Sequence, residues 1–265
     1  MAEKKEHKII SADTGEQVKP GAKPKPKPKP EVQAAAEAQE PAEHSFKPAK
    51  EVGNAKGLRI GAICLWVAAI IFKVLAVLVL FGKIHLTFMP VMWQLIVFIV
   101  LDLACLIIGS QLWKKANHID PASKANPTKF WLWNNLGVIM AVAAFFPLLI
   151  LLLTNKDLDK KTKAICTVLA AIALMVGGLT GYDFNPISSE ELDAAVEVLG
   201  DEQVYWAPFG KVYHTHEDCS SLNQSETLTV GTVEQAVAAN RTRLCYFCAQ
   251  QDNIDTTNLL TDGGE

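Results

Sequence analysis

The chain has 265 residues, of which half are hydrophobic and a fifth are charged, and its formal net charge is −3. These averages conceal a segregation, because the charged residues concentrate toward the two ends while the middle is largely apolar. From Tyr182 onward the tail has 15 acidic and three basic residues, a net charge of −12. The apolar middle excludes an ordinary water-soluble protein, and the acidic tail argues against nucleic acid as a partner, since phosphate binding requires basic residues.

Residues 1–57 contain few large apolar side chains and include an alternating Lys-Pro run over residues 23–30. Such a composition cannot bury enough apolar surface to fold, so a disordered tail is predicted. The Lys-Pro run is expected to be an extended spacer, with contact to anionic lipid as the alternative. The first apolar segment begins near residue 58, too late for a secretory signal peptide, so the first span is expected to act as the targeting signal.

Four apolar runs occupy residues 58–181, each near the roughly 17 to 25 residues that a membrane-spanning helix requires. The runs cover residues 60–81, 91–113, 131–153 and 164–181. Tryptophans lie at the run ends, where their amphipathic rings can sit among lipid headgroups: Trp93, Trp113, Trp131 and Trp133. The predicted fold class is therefore an all-α transmembrane bundle of four helices, with the lipid bilayer as its first partner. The fourth run is the shortest of the four.

Basic residues near the span ends predict the orientation in the membrane. Eight Lys and Arg flank the side that carries both termini, and five flank the opposite side. Because positive charge is enriched on the cytoplasmic side, a multi-pass protein of the cell membrane with both termini in the cytoplasm is predicted. If the fourth run did not cross, the acidic tail would lie outside.

Two ionisable residues lie deep in the spans, Lys73 in the first and Asp102 in the second. Antiparallel neighbouring helices would bring them to similar depths, so a buried Lys73–Asp102 ion pair is expected to fix the packing of these helices. A proton or ion pathway through the bundle is the alternative. The structural interpretation is preferred, because the spans contain no further carboxylates or histidines from which to build a relay.

The soluble tail is predicted to hold a small α+β domain over residues 182–250, followed by a flexible C-terminus over residues 251–265. Ser188 and Glu191 resemble a capping box that opens a helix ending near Leu199. Two β-prone runs at residues 204–206 and 212–213 flank a turn and predict a hairpin. A further helix is expected over residues 232–240.

The chemistry-bearing pattern of the tail consists of His214, His216 and Cys219 after the hairpin and Cys245 with Cys248 after the last predicted helix. Thiolate and imidazole are the ligands that tetrahedral zinc prefers, and a Cys-x-x-Cys turn can place two sulfurs on one ion. Three cysteines and one histidine would complete a structural zinc site, with either histidine as the fourth ligand. A redox dithiol or an incidental disulfide is the alternative.

These residues resemble a known family. Val212-Tyr213-His214, Cys219 and the run from Arg243 to Cys248 are similar to the small Ada-like metal-binding module, over about forty residues. The resemblance implies zinc in a Cys3His site and favours His214 over His216, because the family's histidine follows a Val-Tyr pair. Methyl transfer and DNA binding, which Ada performs, are not carried over to so acidic a tail. The membrane region resembles no family.

Three function classes follow from these features. The preferred one is a membrane-anchored, zinc-binding interaction or structural module whose soluble tail contacts a protein partner. A small transporter or channel that uses Lys73 and Asp102 is the second. A redox or zinc enzyme acting through the tail cysteines is the third, although no catalytic constellation stands out and four protein ligands would leave no open position on the metal.

Overall fold

The structure is a computed structural model that describes residues 7–18, 53–84, 87–200, 202–257 and 259–261. These residues form two compact units, which are described separately. One unit consists mainly of residues 53–190, and the other combines residues from both ends of the chain.

Four long helices make up the first unit: α1 (Ala55–Leu80), α2 (Val91–Ile119), α3 (Pro127–Thr154) and α4 (Lys160–Gly181). Each is long and apolar enough to cross a membrane, which confirms the four predicted helices and supports a multi-pass membrane protein. The helices extend beyond the apolar runs, and α2 continues past Trp113 through a polar stretch to Ile119.

Short polar side chains begin three of these helices. The side chains of Asn54, Asn126 and Asp159 each accept a hydrogen bond from the backbone amide three residues later. Such N-caps satisfy amides that have no partner within the helix. The polar residues between the apolar runs therefore fix where the helices begin.

The helices pack around an apolar core, and α1 contacts α2 most extensively. Large side chains at its centre are fully buried, among them Leu95, Ile99, Leu106, Phe145 and Leu148. The outward faces expose many large apolar side chains, including Ile63, Val67, Val100, Phe146 and Ile172. Exposure of this kind is typical of helices whose solvent is lipid.

The second unit is a small α+β domain. Its elements are β1 (Lys8–Ser11), β2 (Gln17–Val18), most of α5 (Ser189–Leu199), β3 (Val204–Trp206), β4 (Val212–Tyr213), β5 (Thr227–Gly231), α6 (Val233–Ala238), β6 (Arg243–Leu244) and α7 (Tyr246–Gln251). One sheet has the strand order β2-β1-β5-β3, and β4 pairs with β6 in a second, two-stranded sheet. The helix predicted from the capping box is present as α5. The predicted hairpin is reduced to one antiparallel bridge, in which backbone hydrogen bonds of 2.7 and 2.8 Å join Tyr205 of β3 to His214, the residue after β4.

Residues 7–18 depart from the prediction that residues 1–57 are disordered as a whole. They form a β-hairpin, in which β1 pairs in parallel with β5 and antiparallel with β2. The physical reason is a partner distant in sequence, because a short hairpin gains stability only when it joins a larger sheet. The local signal was present but short, with Ile9, Ile10 and Val18 flanking Asp-Thr-Gly15, where Gly15 has a φ of +69°. The Lys-Pro run lies outside the described residues.

Candidate metal centre

Strand pairing brings two of the predicted ligands together. The parallel register of β4 and β6 sets Tyr213 beside Leu244, so the residues that follow, His214 and Cys245, emerge side by side. The amide of Cys245 donates to the carbonyl of Tyr213 at 2.9 Å, which extends this pairing by one residue. Cys248 lies one turn further along the chain, in α7.

Cys219 joins this group from the segment that follows β4. It directly precedes a single 3₁₀ turn at Ser220–Leu222, whose Leu222 is buried. The amide of Leu222 donates to the carbonyl of Cys219 at 2.9 Å and holds the turn closed. A ligand 26 residues before Cys245 in sequence thus joins the Cys-x-x-Cys pair in space.

The four ligand atoms form one tight group. The sulfurs of Cys219, Cys245 and Cys248 and a ring nitrogen of His214 all lie within 4.8 Å of one another. The Cys219 and Cys245 sulfurs are 3.9 Å apart, and the Cys248 sulfur is 3.7 Å from Nδ1 of His214. Tetrahedral sulfur ligands at the usual zinc distance are separated by about 3.8 Å. The group can therefore hold a metal ion.

All four ligands are buried. His214 is 2% exposed, Cys245 and Cys248 are at most 1% exposed, and Cys219 is 8% exposed. Their apolar surroundings are completed by Ile9, Leu222, Leu228 and Val230. Three buried thiolates would be costly without a compensating charge, which a divalent cation would supply.

The three thiols occupy different electrostatic environments. Burial raises the pKa of the Cys219 thiol, while hydrogen bonding to Cys248, followed by burial, raises the pKa of Cys245. The hydrogen bond from Cys245 lowers the pKa of Cys248, outweighing the opposing effect of burial. A bound divalent cation would favour the thiolate form of all three.

His216 has a different role from His214. Its Nε2 lies 2.6 Å from Oδ1 of Asp252, and the hydroxyl of the preceding Thr215 donates to the other carboxylate oxygen at 2.5 Å. Asp252, which directly follows α7, thus ties the His216 segment to the end of that helix. Of the two histidines that the sequence offers, the structure places His214 in the ligand group, as the resemblance implies.

Lys73 and Asp102 do not make the predicted direct ion pair. The Lys73 ammonium donates to the carbonyl of Ala143 in α3 at 2.9 Å. The Asp102 side chain is 1% exposed, and neither carboxylate oxygen has a hydrogen-bond partner among the described residues. Both residues line one cavity of about 60 Å³, together with Trp66 and Met140. The predicted pair is not formed because α3 offers the ammonium a nearer acceptor, the carbonyl of Ala143. The prediction considered only α1 and α2.

Sequence reasoning missed two polar contacts at the ends of the long helices. His118 and Asp183 are both buried, with Nε2 and Oδ2 2.8 Å apart. Arg59 donates from Nη1 to a carboxylate oxygen of Asp120 and from Nη2 to the carbonyl of the same residue, both at 2.6 Å. In the sequence these residues differ in no way from other polar residues that flank the spans, so only the fold could reveal the pairs.

No protein-family model, curated protein or solved structure matches this chain. The ligand group accordingly rests on its own geometry. The resemblance to the Ada-like module is limited to Val212-Tyr213-His214, Cys219 and residues 243–248.

Proposed function

We propose that this is a multi-pass protein of the cell membrane whose C-terminal domain is a zinc-stabilised interaction module. The observation that carries the proposal is the convergence of His214, Cys219, Cys245 and Cys248 within 4.8 Å. Four protein ligands complete a tetrahedral zinc site and leave no position for water, which is the pattern of structural rather than catalytic zinc.

The choice of zinc follows from the donor set and from the size of the domain. Thiolate with imidazole suits zinc, whereas magnesium, calcium and manganese prefer oxygen ligands. Cysteines account for three of the seven residues in the apolar cluster around the site. With so few aliphatic side chains, the folding of this part of the domain would depend on the metal.

The pairing of β1 with β5 supports a common side of the membrane for both ends of the chain. Lys8 lies beside Thr227 and Ser11 beside Val230 in this ladder. Two segments can pair only if they are on the same side of the bilayer, so the chain between them crosses an even number of times. Given that α1, α2 and α3 cross, α4 must cross as well. The excess of Lys and Arg on that side of the membrane then supports its assignment as the cytoplasmic side.

Two exposed aromatic side chains support a protein partner for the module. Phe209, in the turn between β3 and β4, is 100% exposed, and Phe247, between two of the ligand cysteines, is 59% exposed. Exposed aromatic residues are enriched where proteins bind one another. Because the tail has a net charge of −12, a partner with a basic surface is proposed rather than nucleic acid.

The metal content of the purified full-length protein tests the proposal. About one zinc per chain is expected by elemental analysis. His214→Ala should lose zinc, whereas His216→Ala, two residues away, should retain it because its ring contacts Asp252 instead. Absence of zinc from the wild-type protein, or loss of zinc from His216→Ala alone, would contradict the assignment.

A further inference from the structure

The N-terminal hairpin, formed by β1 and β2, covers one edge of β5, the strand beside the metal centre. Along the β1–β5 ladder, the amide of Lys8 donates to the carbonyl of Glu226 at 2.9 Å, and the amide of Ala12 donates to the carbonyl of Val230 at 2.8 Å. His7 adds a contact from Nδ1 to the carbonyl of Ser225 at 2.8 Å. This is strand addition within one chain, between segments 218 residues apart.

One side chain of β1 enters the apolar cluster around the ligands. Ile9 is 3% exposed and belongs to the same buried cluster as Cys219, Cys245 and Cys248. Ile10, on the opposite face of β1, is only half-buried and is not part of that cluster. The alternation of side chains along a strand therefore directs one isoleucine toward the metal centre and its neighbour away from it.

The site is shaped to receive this hairpin. A Cβ atom added at Gly231 would lie 2.9 Å from the Cβ of Ala12, so the close approach of the two segments depends on a glycine at the end of β5. Beyond the ladder, the Gln235 side chain donates to the carboxylate of Asp13 in the hairpin turn. Backbone pairing, an apolar anchor and a polar contact thus act together.

The hairpin depends on β5 for its order. Its two strands, β1 and β2, pair through only two residue pairs, and a hairpin so short is not stable alone in water. It is tethered to α1 through residues 19–52, which include the Lys-Pro run, so docking is an intramolecular event at high effective concentration. The ligand residues would be more exposed to solvent when the hairpin is released than when it is docked.

We propose that the hairpin formed by β1 and β2 binds β5 of its own chain, closes the metal centre on that side and slows exchange of the metal. The proposal rests on the zinc site proposed above. The amino-terminal segment would then regulate metal exchange at the site. Release of the hairpin would expose the edge of β5 as a surface that can accept another strand.

The test is the rate at which zinc passes from full-length, detergent-solubilised protein to an excess of a chromogenic chelator. Ile9→Ala removes the apolar anchor, and deletion of residues 2–18 removes the hairpin itself while leaving residues 19–52 in place. Ile10→Ala is the matched control on the other face of β1. Both hairpin variants should release zinc at least about tenfold faster than wild type and Ile10→Ala, since truncating a buried isoleucine is costly.

Zinc stoichiometry, measured in parallel, separates this proposal from the one on which it rests. A wild-type protein without zinc would remove the zinc site itself. One zinc per chain in all variants, with equal release rates for the wild type and the deletion, would overturn the closing role of the hairpin. A wild-type rate that depends on protein concentration would overturn binding within one chain and assign the hairpin to a second copy.

Discussion

The backbones of Gly137 and Gly181 are in direct contact where α3 meets the end of α4. A Cβ atom added at Gly137 would lie 2.7 Å from the carbonyl oxygen of Gly181, and one added at Gly181 would lie 2.7 Å from the carbonyl carbon of Gly137. Real Cβ atoms do not approach backbone so closely, so this crossing requires glycine on both helices.

Alanine substitutions in these helices should have opposite effects at neighbouring glycines. Gly137→Ala or Gly181→Ala should lower the free energy of unfolding by about 1 to 3 kcal/mol, because the helices must move apart. Gly178→Ala is the matched control, since its Cβ would meet no atom of the described residues within 4 Å outside the helix's own backbone, and alanine favours the helix. Thermal unfolding in detergent measures the difference. Equal effects at all three positions would show that the close crossing is not formed.

Replacing Asp102 with asparagine should not lower the stability of the protein. Its buried carboxylate has no hydrogen-bond partner in the part of the chain that the structure describes, so Asp102→Asn is expected to leave the thermal midpoint unchanged or to raise it. A direct ion pair with Lys73 predicts the contrary, a loss of about 3 to 5 kcal/mol when one partner is removed. The measurement is thermal unfolding of Asp102→Asn, Lys73→Met and the double variant.

The outcome of that cycle distinguishes two arrangements of the bundle. Effects that add independently agree with Lys73 bound to the Ala143 carbonyl and Asp102 unpaired. A strongly destabilised Asp102→Asn that Lys73→Met rescues would restore the ion pair predicted from the sequence.

The stability of the protein should fall in acid through Asp183. Burial acts to raise the pKa of this carboxyl, but the hydrogen bond and charge of His118 and the amide of Asn185 together hold the pKa below its usual value. A carboxyl whose folded pKa is lowered stabilises the fold above its unfolded pKa of about 3.9 and loses that contribution as the pH falls through the folded pKa. Thermal midpoints measured between neutral pH and pH 3 should show this decline.

Asp183→Asn provides the comparison for the acid decline. The variant should be less stable than the wild type at neutral pH, because the buried His118 contact loses its carboxylate. Toward acid its thermal midpoint should approach that of the wild type. Parallel curves for the two proteins over the whole range would assign the acid decline to other carboxyls.

The contact between Arg59 and Asp120 depends on the shape of the guanidinium. Two nitrogens of Arg59 donate to two oxygens of Asp120, one on the side chain and one on the backbone. Arg59→Lys keeps the charge but cannot make both bonds, so a loss of up to about 1 kcal/mol is expected for this partly exposed pair. Lys56→Ala, at an exposed position one turn earlier in α1, should change the thermal midpoint little. If lysine fully replaces arginine, the two-bond contact is not stabilising.

The sequence by itself determined the features that depend on local composition. An apolar run of about twenty residues can satisfy its backbone in lipid only as a helix, so hydropathy alone indicated α1 to α4. The capping-box residues at the start of α5 and the β-prone runs around the Ala-Pro-Phe-Gly turn indicated the first elements of the soluble domain for the same reason. Residue chemistry likewise limited the ligands to three cysteines and two histidines.

The tertiary structure decided which of these residues meet. Only the pairing of β4 with β6 sets His214 beside Cys245 and leaves His216 to Asp252. Only a sheet that joins the two ends of the chain gives order to residues 8–18, and only the position of α3 takes the Lys73 ammonium to Ala143. In each case the free energy of the contact belongs to groups far apart in sequence, which local composition cannot specify.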